Sequence, residues 1–208
     1  MVYTLWWWGV KIHKLIEANL FVDSFGTREE IDSLIDQALY HRINKPDMMA
    51  WSNEGCWRSE FKYKEHDWLI NNLMTRVDKL ISYYIQQDPS YIPKVGMYGN
   101  PKITYWTNVN EPGSKNVLHT HDLHHYVSCY YLQTEGTGSI SFHNPANLLE
   151  NCHPCSPFVS RMVYTPKDSD ILLWPGWMPH ETETNTSDKQ RINIAFNVQF
   201  ETPRGTAR

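Results

Sequence analysis

From about residue 96 the chain stops reading as helix and reads at period two. MYGNPKITYWTNV, SCYYLQ, GSISFH, RMVYTP, DILLWP and INIAFNVQF are short, aromatic and β-branched runs. Turn sequences such as Glu111-Pro-Gly, Glu135-Gly-Thr-Gly and Asp168-Ser-Asp part them. No helical pattern lies between these runs, whereas a parallel sheet needs crossover helices. Such a segment is expected to form an antiparallel sandwich or jelly roll.

Upstream, the apolar spacing is helical. Thr27 followed by Glu30 forms a capping box, and Ile31, Leu34, Ile35 and Leu39 make a stripe behind it. Asn44-Lys-Pro-Asp ends that helix. A second is expected over about 65–87, with Leu69, Leu73, Val77, Leu80, Ile81 and Tyr84 along one side, and Pro89 to Pro93 as a turn. MVYTLWWWGV reads as a first strand whose tryptophans pack on the core. The class is therefore α+β, as one domain over 1–208. Residues 1–95 would hold a strand and supporting helices, 96–202 the β core and 203–208 a tail.

Composition narrows the function. Hydrophobic residues make up 41% of the 208, with nine Trp and twelve Tyr, enough for a sizeable core. A net charge of −4 and a pI near 6.2 argue against a nucleic-acid partner, which needs a basic stripe. The apolar start is short, meets Lys11, His13 and Lys14, and lacks a signal peptide's basic leader and cleavage site. No membrane attachment and a cytoplasmic location are expected. Nothing in the sequence fixes an oligomeric state.

The chemistry centres on Val117 to Leu132, which holds four of the ten histidines: His119, His121, His124 and His125. Strand alternation puts His119 and His121 on one face, where neutral imidazoles suit a transition metal. A third ligand is sought in His180, just past the apolar run DILLWP. Arg191 follows and opens a strand whose odd positions, Arg191, Asn193, Ala195 and Asn197, share a face. CHPC at 152–155 has the spacing of a redox or zinc half-site. No second such pair exists, and ordinary thiols are the plainer reading. Residues 146–160 have no clean period and read either as a lid or as a passive insertion.

The order His-x-His, distant His, then Arg on β-strands resembles the non-haem Fe(II)/2-oxoglutarate-dependent oxygenases. More narrowly it resembles a group from bacteria and their phages. The matching blocks are Trp106 and Asn108, HTHD at 119–122, Tyr130-Tyr131, GSISFHNP at 138–145, WPGWMPH at 174–180 and RINIAFN at 191–197. A weaker block is NEGCWRS at 53–59. Asp122 stands where the group has proline, and Val127-Ser128 where it has Ser-Gly.

The resemblance implies a double-stranded β-helix (jelly-roll) core with the N-terminal helices packed on it. It implies Fe(II) held by His119, His121 and His180, with 2-oxoglutarate and O₂ as co-reactants. His121 occupies the position usually taken by a carboxylate, which raises the charge of the centre by one unit. Asp122 is a rival ligand if a turn breaks strand parity. Arg191 suits the far carboxylate of 2-oxoglutarate because guanidinium is a bidentate, permanently charged fork. Tyr131 would donate to the same carboxylate, and Asn108, Asn193 and Asn197 would line that pocket.

The implied reaction is hydroxylation of a small-molecule or peptide substrate, prolyl hydroxylation included. Trp51, Trp57, Trp106, Trp174 and Trp177 could frame a groove for it or belong to the core. Two other readings remain open. One is a three-histidine dioxygenase of cupin type that does not use 2-oxoglutarate. The other is a non-catalytic jelly-roll binding protein.

Overall fold

The computed structural model describes residues 3–7, 10–14, 19–46, 52–59, 67–87, 101–145 and 161–200. The turn at 89–93, Trp51, the 146–160 segment with Cys152 and Cys155, and the 203–208 tail lie outside the described residues.

Helix α1 (Arg28–Asn44) begins where the capping box places it. The Glu30 amide donates to Thr27 Oγ1 at 3.3 Å, and the Thr27 amide donates to Glu30 Oε2 at 2.7 Å. Two donors that no helical carbonyl can reach are thereby satisfied. Ile31, Leu34, Ile35 and Ala38 form its buried stripe. Helix α2 (Asp67–Gln87) buries Leu69, Leu73, Val77 and Leu80 in the same way. Both stripes cover one face of a large sheet.

That sheet has six antiparallel strands. They are β3 (Phe21–Ser24), β4 (Asn53–Arg58), β5 (Pro101–Asn116), β6 (Tyr126–Gln133), β9 (Asp170–Pro175) and β11 (Arg191–Phe200), in the order β3-β9-β6-β11-β5-β4. A smaller sheet joins β7 (Ile140–His143) to β8 (Arg161–Tyr164) on one side and β10 (His180–Thr182) on the other. With two helices on one face and the small sheet across the other, this is the α+β jelly-roll architecture expected.

Parity divides the large sheet between two cores. Ile192, Ile194, Phe196 and Val198 of β11, with Tyr130, Leu132, Val109, Ile171 and Leu173, meet the helices. Val127, Cys129, Tyr131, Leu172 and Trp174 face the other way and pack with Ile140, Phe142 and Met178. A strand buried on both faces carries no polar alternation, which is why β6 and β9 read as continuous apolar runs.

The sequence reading needs three changes. Its single N-terminal strand is two, β1 (Tyr3–Trp7) and β2 (Val10–Lys14), which pair with each other. The packing of the tryptophans there lies outside the described residues. Strands β3, β4 and β10 were not anticipated. The Glu111-Pro-Gly turn does not end β5, because the chain resumes pairing beyond it. Asn116 and Lys115 meet Asn53 and Glu54, while Asn110 to Asn108 meet Cys56 to Arg58. The bulge that absorbs this offset sits at Gly55, whose φ of 70° suits glycine.

Candidate metal centre

Two loops meet at the open end between the sheets. His119 and His180 form an isolated antiparallel bridge, each amide donating to the other's carbonyl at 3.0 Å. The His121 amide donates to Gly176 O at 2.9 Å, and the Gly176 amide donates to His125 O at 3.1 Å. A Cβ on Gly176 would lie 2.1 Å from His124 O and 2.9 Å from His121 O. The backbone of the WPGW loop thus lies directly against the histidine segment, and only glycine leaves room for it.

These loops gather three imidazoles. One ring nitrogen from each of His119, His121 and His180 lies within 4.8 Å of the others. The Nδ1 of His119 faces Val117 O at 2.7 Å, that of His180 faces Met178 O at 2.9 Å, and that of His121 faces Asn197 Oδ1 at 2.6 Å. A carbonyl oxygen can only accept, so in each ring Nδ1 carries the proton and Nε2 keeps a lone pair. The Nε2 atoms of His119 and His121 stand 3.2 Å apart.

Burial keeps these rings neutral. It pulls His180 well below the ordinary value and lowers His119. His121 falls to about 4, through burial and then through the neighbouring His119. Three neutral rings whose free lone pairs converge, with each outer N–H held by an oxygen, form a donor set that fits a divalent transition metal. Asp122 is exposed and accepts from Thr120 Oγ1 at 2.9 Å, outside this group. His124 lines the cavity beside the triad, whereas His125 Nδ1 accepts from the Phe200 amide at 3.2 Å.

A cavity of about 810 Å³ opens beside the triad. Tyr131, Asn108 and Asn193 line it, and Asn197 contributes to the wall while holding His121. Burial raises the Tyr131 hydroxyl far above its ordinary value, so it stays a donor. A run of amides forms one wall: Asn53 Nδ2 donates to Asn108 Oδ1 at 3.3 Å, and Asn108 Nδ2 donates to Asn193 Oδ1 at 2.9 Å.

Arg191 is 1% exposed and sits behind the wall. Its guanidinium donates to Thr137 O and to Thr182 Oγ1, both at 2.9 Å, while Nε has no partner. Thr182 itself lines the cavity. Of the expected groove aromatics, Trp106 and Trp174 line the cavity. Trp57 lies in the helix-side core, and Trp177 is exposed.

Sequence reasoning missed Arg58, the last residue of β4, which lines the cavity beside Trp106. It sits opposite Asn108, and therefore on the cavity face. The offset at Gly55 hides that parity from any count along the sequence.

Comparison with known proteins agrees with this fold. Residues 104–197 match the model of a family described as "Putative 2OG-Fe(II) oxygenase". No curated relative matches the sequence. Among solved structures, the chain is similar to a Pseudomonas putida prolyl-4-hydroxylase, at 11% identity and a TM-score of 0.61, over 88% of this chain and 94% of that one. A Trichoplax adhaerens prolyl hydroxylase, in complex with a hypoxia inducible factor peptide fragment, is 14% identical with a TM-score of 0.58, over 91% and 87%. HygX from Streptomyces hygroscopicus, with nickel and 2-oxoglutarate bound, is 14% identical with a TM-score of 0.54, over 88% and 83%. The resemblance to the Fe(II)/2-oxoglutarate oxygenase superfamily is thus borne out over the β core, and the fold is that of its members.

Proposed function

We propose that the protein is an Fe(II)/2-oxoglutarate-dependent oxygenase that hydroxylates a small-molecule or peptide substrate. The observation that carries the reading is the convergence of three Nε2 lone pairs beside a cavity of about 810 Å³. Bound together, Fe(II) and 2-oxoglutarate supply O₂ activation, coupling decarboxylation of the cosubstrate to succinate with oxygen insertion into a substrate C–H bond.

The chain's own residues bind, orient and shield. His119, His121 and His180 would hold the metal, and their Nδ1 partners fix each ring's angle. Arg191, bonded to the cavity-lining Thr182, and Tyr131 would bind the far carboxylate of the cosubstrate, in a pocket lined by Asn108 and Asn193. Trp174 packs edge-on against His180, with centroids 5.0 Å apart, and keeps water from that side of the triad. Peptidyl substrates, prolyl ones included, suit a cavity walled by amides. Cys56 and Cys129 are free thiols, in keeping with a cytoplasmic setting.

One observation favours a second reading. The Arg191 guanidinium already donates to a carbonyl and a hydroxyl inside the protein. In a cupin-type three-histidine dioxygenase it would be a structural cation and 2-oxoglutarate would not bind. Succinate formation by the Fe(II)-loaded protein separates the two. The oxygenase reading expects it in the native protein and its loss in both His119→Ala and Arg191→Ala. Unchanged succinate formation in either variant would defeat this assignment of residues.

A further inference from the structure

We propose that the indole N–H of Trp174 donates a hydrogen bond to an oxygen atom of the ligand held at the metal centre, beside His180. The inference rests on the oxygenase reading of the same cavity and adds to it a residue that touches the bound ligand.

Trp174 stands one residue from the end of β9, on the cavity side of the large sheet, and is 2% exposed. It lines the cavity. Two edge-on contacts fix its plane, with Phe142 at 5.1 Å and with His180 at 5.0 Å between centroids, each at 70°. Its Nε1 is buried and has no hydrogen-bond partner among the described residues. Buried indole N–H groups ordinarily find an acceptor, so one that lacks it in the wall of a cavity points to an acceptor that arrives with a ligand.

The surroundings of the ring are apolar. Val127 lies directly across from Trp174 on β6, and Ile140, Phe142 and Met178 belong to the same cluster. The neighbouring His180 ring already turns its Nδ1 to Met178 O. An indole nitrogen donates and never accepts, so a bound cation by itself does not satisfy it. An oxygen of a molecule held by that cation does, and the edge-on contact places the indole against the imidazole that would hold the ion.

A second donor stands near the same imidazole. Thr182 lies two residues beyond His180 on β10, on the same strand face, and lines the cavity. Its Oγ1 accepts from the Asn116 amide at 2.8 Å and from Arg191 Nη2 at 2.9 Å. Both lone pairs are thereby engaged, and its own hydrogen is left to donate. Two donors that need acceptors near His180 match a ligand rich in oxygen atoms. The carboxylate and keto groups of 2-oxoglutarate provide them, and so does water held by the ion.

The test uses the full chain loaded with Zn(II), which is diamagnetic, with its nine tryptophans isotope-labelled and their indole N–H signals followed by NMR. Trp174→Phe identifies the Trp174 signal by removing it. Cross-relaxation with the Phe142 ring identifies it in the native protein if that variant does not fold. The Trp174 proton is expected to move downfield and to exchange more slowly with solvent once its acceptor is in place. A move with Zn(II) alone assigns the acceptor to water on the ion, whereas a move that needs 2-oxoglutarate assigns it to the cosubstrate. In the second case Trp174→Phe should bind 2-oxoglutarate roughly tenfold more weakly by calorimetry, the loss of one charge-assisted hydrogen bond, at unchanged Zn(II) affinity. A Trp174 signal that stays in place while other signals report both Zn(II) and 2-oxoglutarate would overturn the proposal. So would a loss of Zn(II) affinity in Trp174→Phe, which would make the indole a packing partner of His180 and nothing more. A Trp174 signal that responds to Zn(II), in a protein where nothing responds to 2-oxoglutarate, would sink the oxygenase reading and leave the donor standing.

Discussion

At the scale of single residues, the site depends on which nitrogen of each histidine keeps its lone pair. Val117 O, Met178 O and Asn197 Oδ1 make that choice, and the first two are backbone atoms that substitution cannot remove. Asn197, a buried side chain, is the one partner of the three that substitution can remove. Asn197→Ala should free the His121 ring and lower metal affinity by roughly 10–100-fold, the usual cost of losing such a partner. Calorimetric Ni(II) titration would measure it, and an unchanged affinity would refute the role. The lowered histidine pKa values also set a pH dependence. The folded, metal-free protein binds fewer protons than the unfolded chain between the ordinary value of 6.5 and about 4 for His121. This contribution to stability is fully present above 6.5 and is lost as pH falls through that window. The metal-free protein should therefore melt at a lower temperature at pH 5 than at pH 7. His121→Ala should flatten the difference, and added Ni(II) should raise the melting temperature most at the higher pH, where the rings are neutral.

At the scale of elements, the three histidines are held by strand ends and loops that grip one another. The His119–His180 bridge and the contact of Gly176 with the histidine segment join β10 and the WPGW loop to the His-x-His turn. Gly176→Ala puts a methyl group 2.1 Å from His124 O, so one loop has to move. The expected outcome is a protein that still folds, with far-UV circular dichroism unchanged, but binds metal at least tenfold more weakly. Leu73→Ala in α2 should do the reverse, costing about 2–5 kcal/mol in stability through the helix-side core with metal affinity little altered. These two variants separate the scaffold from the site. Some of this was legible in the sequence. The alternation in β11 placed Arg191, Asn193 and Asn197 on one face because that strand is regular where it pairs with β5. The capping box located α1 because its signal is local. The partners of β4 and β10 are set by registers with distant strands. A three-residue strand and a strand bulged at Gly55 carry too short a period to read. Arg58 was hidden for the same reason.

At the scale of the whole molecule, the large sheet separates two tasks. Its helix side holds a contiguous apolar cluster, and its other side carries the cavity, the imidazoles and the amide wall. No described helix is long and apolar enough to cross a membrane. The clustering of the three histidines was visible before the fold because it joins neighbours in sequence, His119 and His121, to His180 just past an apolar strand. The depth of Arg191 behind Thr182 was not visible, since it depends on how β10 and β11 pack. The central claim is that this cavity holds Fe(II) and 2-oxoglutarate together. Anaerobic titration with Fe(II), with and without 2-oxoglutarate, tests it most directly. The account predicts a weak visible metal-to-ligand absorption band that needs both components and disappears in Arg191→Ala. Iron bound with no such band would contradict the use of 2-oxoglutarate and favour the cupin-type dioxygenase. No bound iron would contradict the metal centre itself.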